Sequence, residues 1–398
     1  MGDLTLTSLA NDIFVAADVV GREAVGFIPS VTMNAESTRA AVGDNVTAAF
    51  TAEAGALQDI SNGNMTIPDG TAQTITGKTL NIDNAKAIQI PFGAEQEKLF
   101  RNTGRYESVY GDLIQQAMRK IVNQIESDLF TEVKNNAGFA TGVQGTTPFA
   151  TGTNDSGLEE IGTARKILVD SGCPMDDVSL VCNTSASLNI RNNLNLISAN
   201  IAGNTDLREQ GILIPVQGIN IRESGQIASH TAGTAAADGL IDTVDNAGAT
   251  SIVVDDLDDG ATIVAGDILE TDTQDAADAF AVVGTGATAG SAGADSNSVT
   301  VTLNQGLKAA TANNEALRLL SYTGNFMFHR AAVELAMRAP AVPQVGDAAD
   351  DAITVQDPHS GLVFEVRIYK GYRKTMIEVG AAYGIKAWKP EFIHTILG

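Results

Sequence analysis

Residues 107–136, ESVYGDLIQQAMRKIVNQIESDLFTEVKNN, constrain this chain more than any other stretch. Val109, Leu113, Ile114, Ala117, Met118, Ile121, Val122, Ile125, Leu129 and Val133 recur at three- and four-residue steps, the period of one helix face. Asp112, Gln115, Gln116, Arg119, Lys120, Asn123, Gln124, Glu126 and Asp128 fall between them and make the opposite face polar. Asn135-Asn136-Ala137-Gly138 then offers residues that tolerate a left-handed helix stop. At ~1.5 Å per residue, about 30 residues form a rod of roughly 45 Å, against an average helix of ~11–12 residues. Nothing else in the chain repeats this pattern at comparable length. A single spine lying across sheets is expected, not a helical bundle.

Residues 9–25 read as a short amphipathic helix, with Ile13, Val20 and Val25 among its apolar positions and Phe27-Ile28-Pro29 closing it. From 30 to 98 helical signal is scarce. Val42-Gly43-Asp44-Asn45-Val46-Thr47 reads as a turn between strand-like residues. Residues 73–76, 80–82 and 87–90 alternate apolar with polar, and Pro68-Asp69-Gly70 and Gly77-Lys78 supply turn chemistry. An extended two-stranded ribbon over 46–92 is expected. A lone ribbon is marginal in water, so it must fold onto the chain's own body or lie on a neighbouring subunit.

Beyond the spine, 136–156 reads as a Gly-, Thr- and Ala-rich loop and 157–171 as a second amphipathic helix. Residues 178–182 form a short buried strand, 185–191 a helix, and 212–216 and 219–222 two further strands, which together imply an α/β module. Composition shifts near His230. From 230 to 322 fourteen acidic residues face only Lys308 and Arg318, a net charge of −12 in a chain whose total is −23. Strand-like pieces at 251–254, 280–283 and 298–303 separated by Gly- and Asp-rich turns predict a small all-β domain inserted into the module. A short helix over 325–336, strands over 362–369 and 374–379, and a final strand-like segment complete the chain.

The charge balance, 25 Lys and Arg against 48 Asp and Glu, argues against wrapping a nucleic-acid backbone, which needs neutralising cations. Cys173 and Cys182 do not make a secreted disulfide framework. The N-terminus lacks a basic, apolar signal pattern, Leu6 removes the myristoylation reading, and no apolar run approaches a membrane span. A cytoplasm-like setting, or release by lysis, is expected.

Catalytic patterns are absent. The histidines, His230, His329, His359 and His394, are scattered, with no H-E-x-x-H, C-x-x-C or G-x-S-x-G. His329 reads as a packed or capping residue. The loop Gly284 to Gly290 has no lysine after it and reads as low-complexity surface. Asp255, Asp256, Asp258 and Asp259 could hold a hard cation, but they lack alternating ligand spacing, and a solvated acidic turn is preferred. No cofactor is expected.

NFMFHRAAVELAMRAP (325–340), DPHSGLVFEVRIYKGY (357–372) and YGIKAWKPEFIHTILG (383–398), taken with the spine helix, resemble the tailed-bacteriophage major capsid proteins. The nearest group is the podovirus-like coat proteins with an inserted β-domain. The resemblance implies an α+β chain of the Hong Kong 97-type fold. It implies an N-terminal arm (1–45), an E-loop hairpin (46–92) and a peripheral domain (93–150, completed by 344–380). It further implies an axial domain (151–229 and 323–343), the inserted acidic β-domain (230–322) and a C-terminal strand segment (381–398). It implies self-assembly into pentamers and hexamers of an icosahedral shell around double-stranded DNA. Scaffolding protein, portal and possible decoration proteins are the other implied partners, with no membrane and no enzyme activity. The apolar side chains expected to meet neighbouring subunits are Phe50, Ile60, Met65, Ile67 and Ile75 of the ribbon and Phe14 and Phe27 of the arm. An encapsulin-like nanocompartment shell is the alternative, and a surface adhesin a weaker one.

Overall fold

The computed structural model describes residues 6–23, 26–51, 75–96, 98, 106–151, 157–197, 211, 213–236, 239–275, 279–293, 297–343 and 346–398. In chain order these begin with helix α1 (Leu6–Glu23), strands β1 (Thr32–Ala40), β2 (Asn45–Thr51), β3 (Ile75–Asn81) and β4 (Asn84–Gly93), and the 30-residue helix α2 (Tyr106–Asn135). Then come β5 (Phe139–Thr141), α3 (Glu159–Asp170), β6 (Val178–Cys182), α4 (Thr184–Asn192) and β7 (Asn220–Glu223). The acidic segment supplies β8 (Ser251–Leu257), β9 (Ile268–Glu270), β10 (Phe280–Thr285), β11 (Asn297–Leu303) and β12 (Arg318–Leu320). The chain ends with β13 (Asn325–His329), β14 (Val333–Pro340), β15 (Ala349–Gln356), β16 (Val363–Gly371), β17 (Lys374–Ala387) and β18 (Ile393–Ile396).

The periodic face of α2 is buried as its spacing requires: Ile114, Met118, Ile125, Leu129 and Val133 are all enclosed. They join Leu9, Ile13 and Val20 of α1 and the inner residues of a six-stranded sheet in the largest core. That sheet runs β1-β14-β17-β16-β15, with β4 pairing along β17. β1 and β14 are parallel, Thr32 opposite Glu334, and the remaining pairs are antiparallel. A second core gathers α3, α4, β6 and β7 around Met327 and Ile396. A third belongs to the acidic segment, with Ile252, Val254, Leu257, Val283, Val301 and Leu303 inside.

Several expectations are corrected. Residues 325–336 are not a helix but β13, a 3-10 turn at Arg330–Ala332 and the start of β14. Residues 87–90 leave the ribbon and join the six-stranded sheet as β4, because β17 offers its edge there. The loop over 136–156 contains β5, which bonds β18 on one side and β10 on the other. Residues 213–216 form no strand beyond a bridge between Val216 and Ile219, and 212 lies outside the described residues. α2 ends without a left-handed residue. Gly138 is small for another reason: a Cβ there would stand 2.6 Å from the carbonyl oxygen of Pro390.

Sheet membership cuts across the ranges drawn from sequence. β1, in the 1–45 arm, and β14, in the 323–343 range, both lie in the six-stranded sheet. Through β5 the strands of the acidic segment continue the sheet that holds β7, β6, β13 and β18. The architecture is mixed α and β.

Candidate assembly surfaces

At its root the ribbon is anchored tightly. Leu80 and Ile82 are buried with Ala40, Ala336 and Ala382. Gly384 of β17 leaves room for it, since a Cβ there would come within 1.9 Å of the carbonyl oxygen of Asn81. Lys78 places its ammonium 5.6 Å from the centroid of the Trp388 ring, a cation–π approach. Beyond this root β2 and β3 pair in register from Asn45–Asn81 to Thr51–Ile75. Asn45, Thr47, Gly77, Thr79 and Asn81 are exposed, and Val46 is only half-buried. The paired arms therefore leave the body with backbone hydrogen bonds to each other, and most of the described residues nearest the root stand in solvent.

Of the side chains expected at subunit contacts, Phe14 is 51% exposed on the outer face of α1, beside Val15 at 63%. Ile60, Met65 and Ile67 lie outside the described residues, as do the side chains of Phe50 and Ile75. Phe27 is corrected. It is wholly enclosed, stacked on Phe328 at 6.2 Å between ring centroids and flanked by Phe130 and Phe326. An enclosed ring of this kind is core and has no surface to offer a neighbour.

The arm is fixed by polar groups that periodicity assigned to the outer face of α2. Glu126 is buried, and its carboxylate accepts hydrogen bonds from the backbone N–H of Phe27 (2.9 Å) and Ile28 (2.8 Å) and the hydroxyl of Ser224 (3.1 Å). Burial pushes its pKa up, and the three donors hold it down. Further along, Asp128 accepts from the hydroxyl of Tyr383 at 2.5 Å, and Glu132 accepts from the backbone N–H of Ala387 at 3.0 Å. Arg119 forks onto Glu23 at the end of α1, with both contacts at 2.5 Å. Gly21 lets α1 approach Asp357, whose carboxylate oxygen would stand 2.0 Å from a Cβ. No periodic signal marks these bonds, because each joins positions about 100 residues or more apart.

The acidic turn does not converge. Asp255 and Asp256 line an open cleft of about 430 Å³ with Asp242, Asn297, Ser298 and Asn314. Asp259 instead accepts from the backbone N–H of Gly293 and the side-chain amide of Asn297, both at 2.9 Å. Burial, then the neighbouring Asp242, raises the pKa of Asp255. Among the described residues no cluster of three or more His, Cys, Asp or Glu has metal-binding geometry. Gly286, in the glycine-rich loop, serves packing, since a Cβ would meet the carbonyl of Ile263 at 2.7 Å.

His329 caps its 3-10 turn by accepting from the N–H of Ala331 at 3.1 Å. Cys173 and Cys182 are buried free thiols. Burial pushes Cys173 up to about 11 and Cys182 further up, so neither is a ready nucleophile. Among the described residues no helix is long and apolar enough to cross a membrane.

No family model matches the chain, and neither does any curated protein. Solved structures do resemble it. The capsid of cyanophage P-SCSP1u is 11% identical over 94% of this chain and 88% of that one, with a TM-score of 0.45. The capsid of Ralstonia phage GP4 is 9% identical over 92% and 86%, at 0.41. A virus-like particle from Pyrococcus furiosus is 10% identical over 97% and 98%, at 0.39.

Proposed function

We propose that the chain is the major capsid protein of a tailed bacteriophage and builds the icosahedral shell around its double-stranded DNA. The observation that carries this reading is the ribbon, rooted firmly in the six-stranded sheet at Leu80 and Ile82, with Asn45, Thr47, Gly77, Thr79 and Asn81 exposed among the described residues just beyond that root. An element so placed gains its missing burial when a neighbouring copy covers it. The exposed apolar pair Phe14 and Val15 on α1 points the same way.

This reading keeps the Hong Kong 97-type division. α1 and its linker form the arm, the ribbon is the E-loop, α2 with the six-stranded sheet forms the peripheral domain, and α3, α4 and their strands form the axial domain. The acidic strands are its insertion. Pentamers and hexamers, a scaffolding protein, a portal and possible decoration proteins are its partners, and the host cytoplasm is where it assembles. No catalytic role is assigned. With a net charge of −23, subunits repel at low salt, and screening favours their association.

Electron microscopy and sedimentation of the purified protein across a salt series test this. Closed particles whose yield rises with ionic strength are expected. A chain that stays monomeric at every salt concentration and protein concentration overturns the reading. Nucleic acid within particles from phage-infected cells distinguishes a virion from a compartment loaded with protein cargo.

A further inference from the structure

The end of the spine helix meets the acidic strands through a buried polar joint that assembly does not explain. Lys134, in the last turn of α2, places Nζ 2.9 Å from Nδ1 of His230. Nε2 of the same ring lies 2.7 Å from Oδ1 of Asp267. Asp267 is fully buried, and its carboxylate also accepts from the backbone N–H of Gly233 (3.2 Å) and Val264 (2.8 Å). Tyr322 packs its ring 5.1 Å from the imidazole and donates its hydroxyl to the carbonyl of Gly266 at 2.9 Å. The loop closes tightly on the helix end, for a Cβ at Gly266 would stand 3.3 Å from Cε of Lys134.

An ammonium group only donates, so Nδ1 of His230 must accept. The single ring proton then sits on Nε2 and points at Asp267. The joint is thus an ammonium and a carboxylate bridged by a neutral imidazole. The titratable groups facing that ring among the described residues are Lys134 from α2, Asp267 from the loop before β9 and Tyr322 from the segment after β12.

We propose that this Lys–His–Asp joint is a proton-operated catch between the spine helix and the acidic strands, closed while His230 is neutral and released when its ring takes up a second proton. The proton comes from solvent and occupies the Nδ1 lone pair. Lys134 then loses its acceptor, and two cations face each other at hydrogen-bond distance. The bond to Asp267 survives as an ion pair, so the break falls on the helix side. Burial holds the Lys134 pKa below the ordinary lysine value, and the charge of Asp267 opposes that shift. The inference stands apart from the shell reading, because it concerns a contact within one chain.

Hydrogen exchange on the full-length protein, corrected for intrinsic rates, tests it between about pH 8 and pH 5. Amides of 130–136 and 264–268 are expected to be about tenfold less protected at the acid end, the scale of losing one charged hydrogen bond. His230→Asn keeps an acceptor near the Nδ1 position for Lys134 but takes up no proton, so the acid response of these amides should fall to that of amides elsewhere in the body. Lys134→Met removes the repulsion and keeps the His–Asp pair, so acid should raise protection instead. Wild-type protection that is unchanged at the acid end overturns the catch. So does a Lys134→Met protein that loosens in acid as the wild type does.

Discussion

The ribbon and the acidic strands are both β excursions from the same body, and they obtain their stability differently. The acidic strands enclose their own core, with Ile252, Val254, Leu257, Val283 and Val301 sealed from solvent. Among the described residues of the ribbon, Leu80 and Ile82 at its root are sealed. Charge follows the same division. Carboxylates crowd the outside of a segment that already has an inside, whereas the described ribbon presents mostly neutral threonine, asparagine, alanine and glycine beyond Asp44. A buried core supports repulsive surface charge, and a bare hairpin does not. The contrast teaches that strand content alone says little about where folding free energy resides.

The largest expected effect breaks the contrast at the ribbon. Replacing residues 52–74 by a Gly-Gly turn should cut shell yield at least about tenfold while moving the unfolding midpoint by only about 2 °C, since a lone hairpin adds little stability. Particle counts by microscopy and a calorimetric scan check both halves. A collapse of monomer folding would show that the ribbon belongs to the core. Next, Leu257→Ala in the acidic core should lower stability by about 2–5 kcal/mol in denaturant titration, the usual cost of such a cavity. A much smaller loss would mean that these strands lean on the body rather than on themselves.

A third effect lies in β18, which pairs with β13 on one side and β5 on the other. His394 is fully buried, with Nε2 2.9 Å from the Thr141 hydroxyl and Nδ1 without a hydrogen-bond partner among the described residues. Burial, then Lys308, lowers its pKa to about 3. The unfolded chain therefore binds this proton first, and stability falls as pH drops from the ordinary imidazole range toward 3. The slope approaches about 1.4 kcal/mol per pH unit. Comparing wild type with His394→Gln between about pH 7 and pH 5 should show the slope only in the former. The smallest effect is Val46→Ala on the ribbon, within about 0.5 kcal/mol of wild type by the same titration.

The spine, the two amphipathic helices around 6–23 and 159–170, and the strands at 178–182, 251–257, 280–285 and 363–371 were legible because each buries one periodic face or a short apolar run. β13 and β14 were not. Sandwiched between sheet partners and covered on both faces, they lack the alternation that marks a half-exposed strand, and their alanines imitate a helix. β1, read as featureless, is an edge strand whose place comes from β14. Among the residues expected at subunit contacts, Phe14 is exposed and Phe27 is enclosed, because only the fold brings Phe130, Phe326 and Phe328 around it. Glu126 and His230 were hidden for the same reason, as their partners lie about 100 residues away.

The parallel pairing of β1 with β14 sets Thr32 beside Glu334, so the ribosome must make some 300 residues between them before the first strand has anything to pair with. At about 5–20 residues per second, that is a wait of roughly 15–60 s. Through that interval α1 and β1 emerge without their sheet, and a helix with Phe14 and Val15 outward is open to whatever binds nascent chains. Synthesis thus gives this polypeptide a late-closing fold, in which one strand waits for a partner made some 300 residues after it.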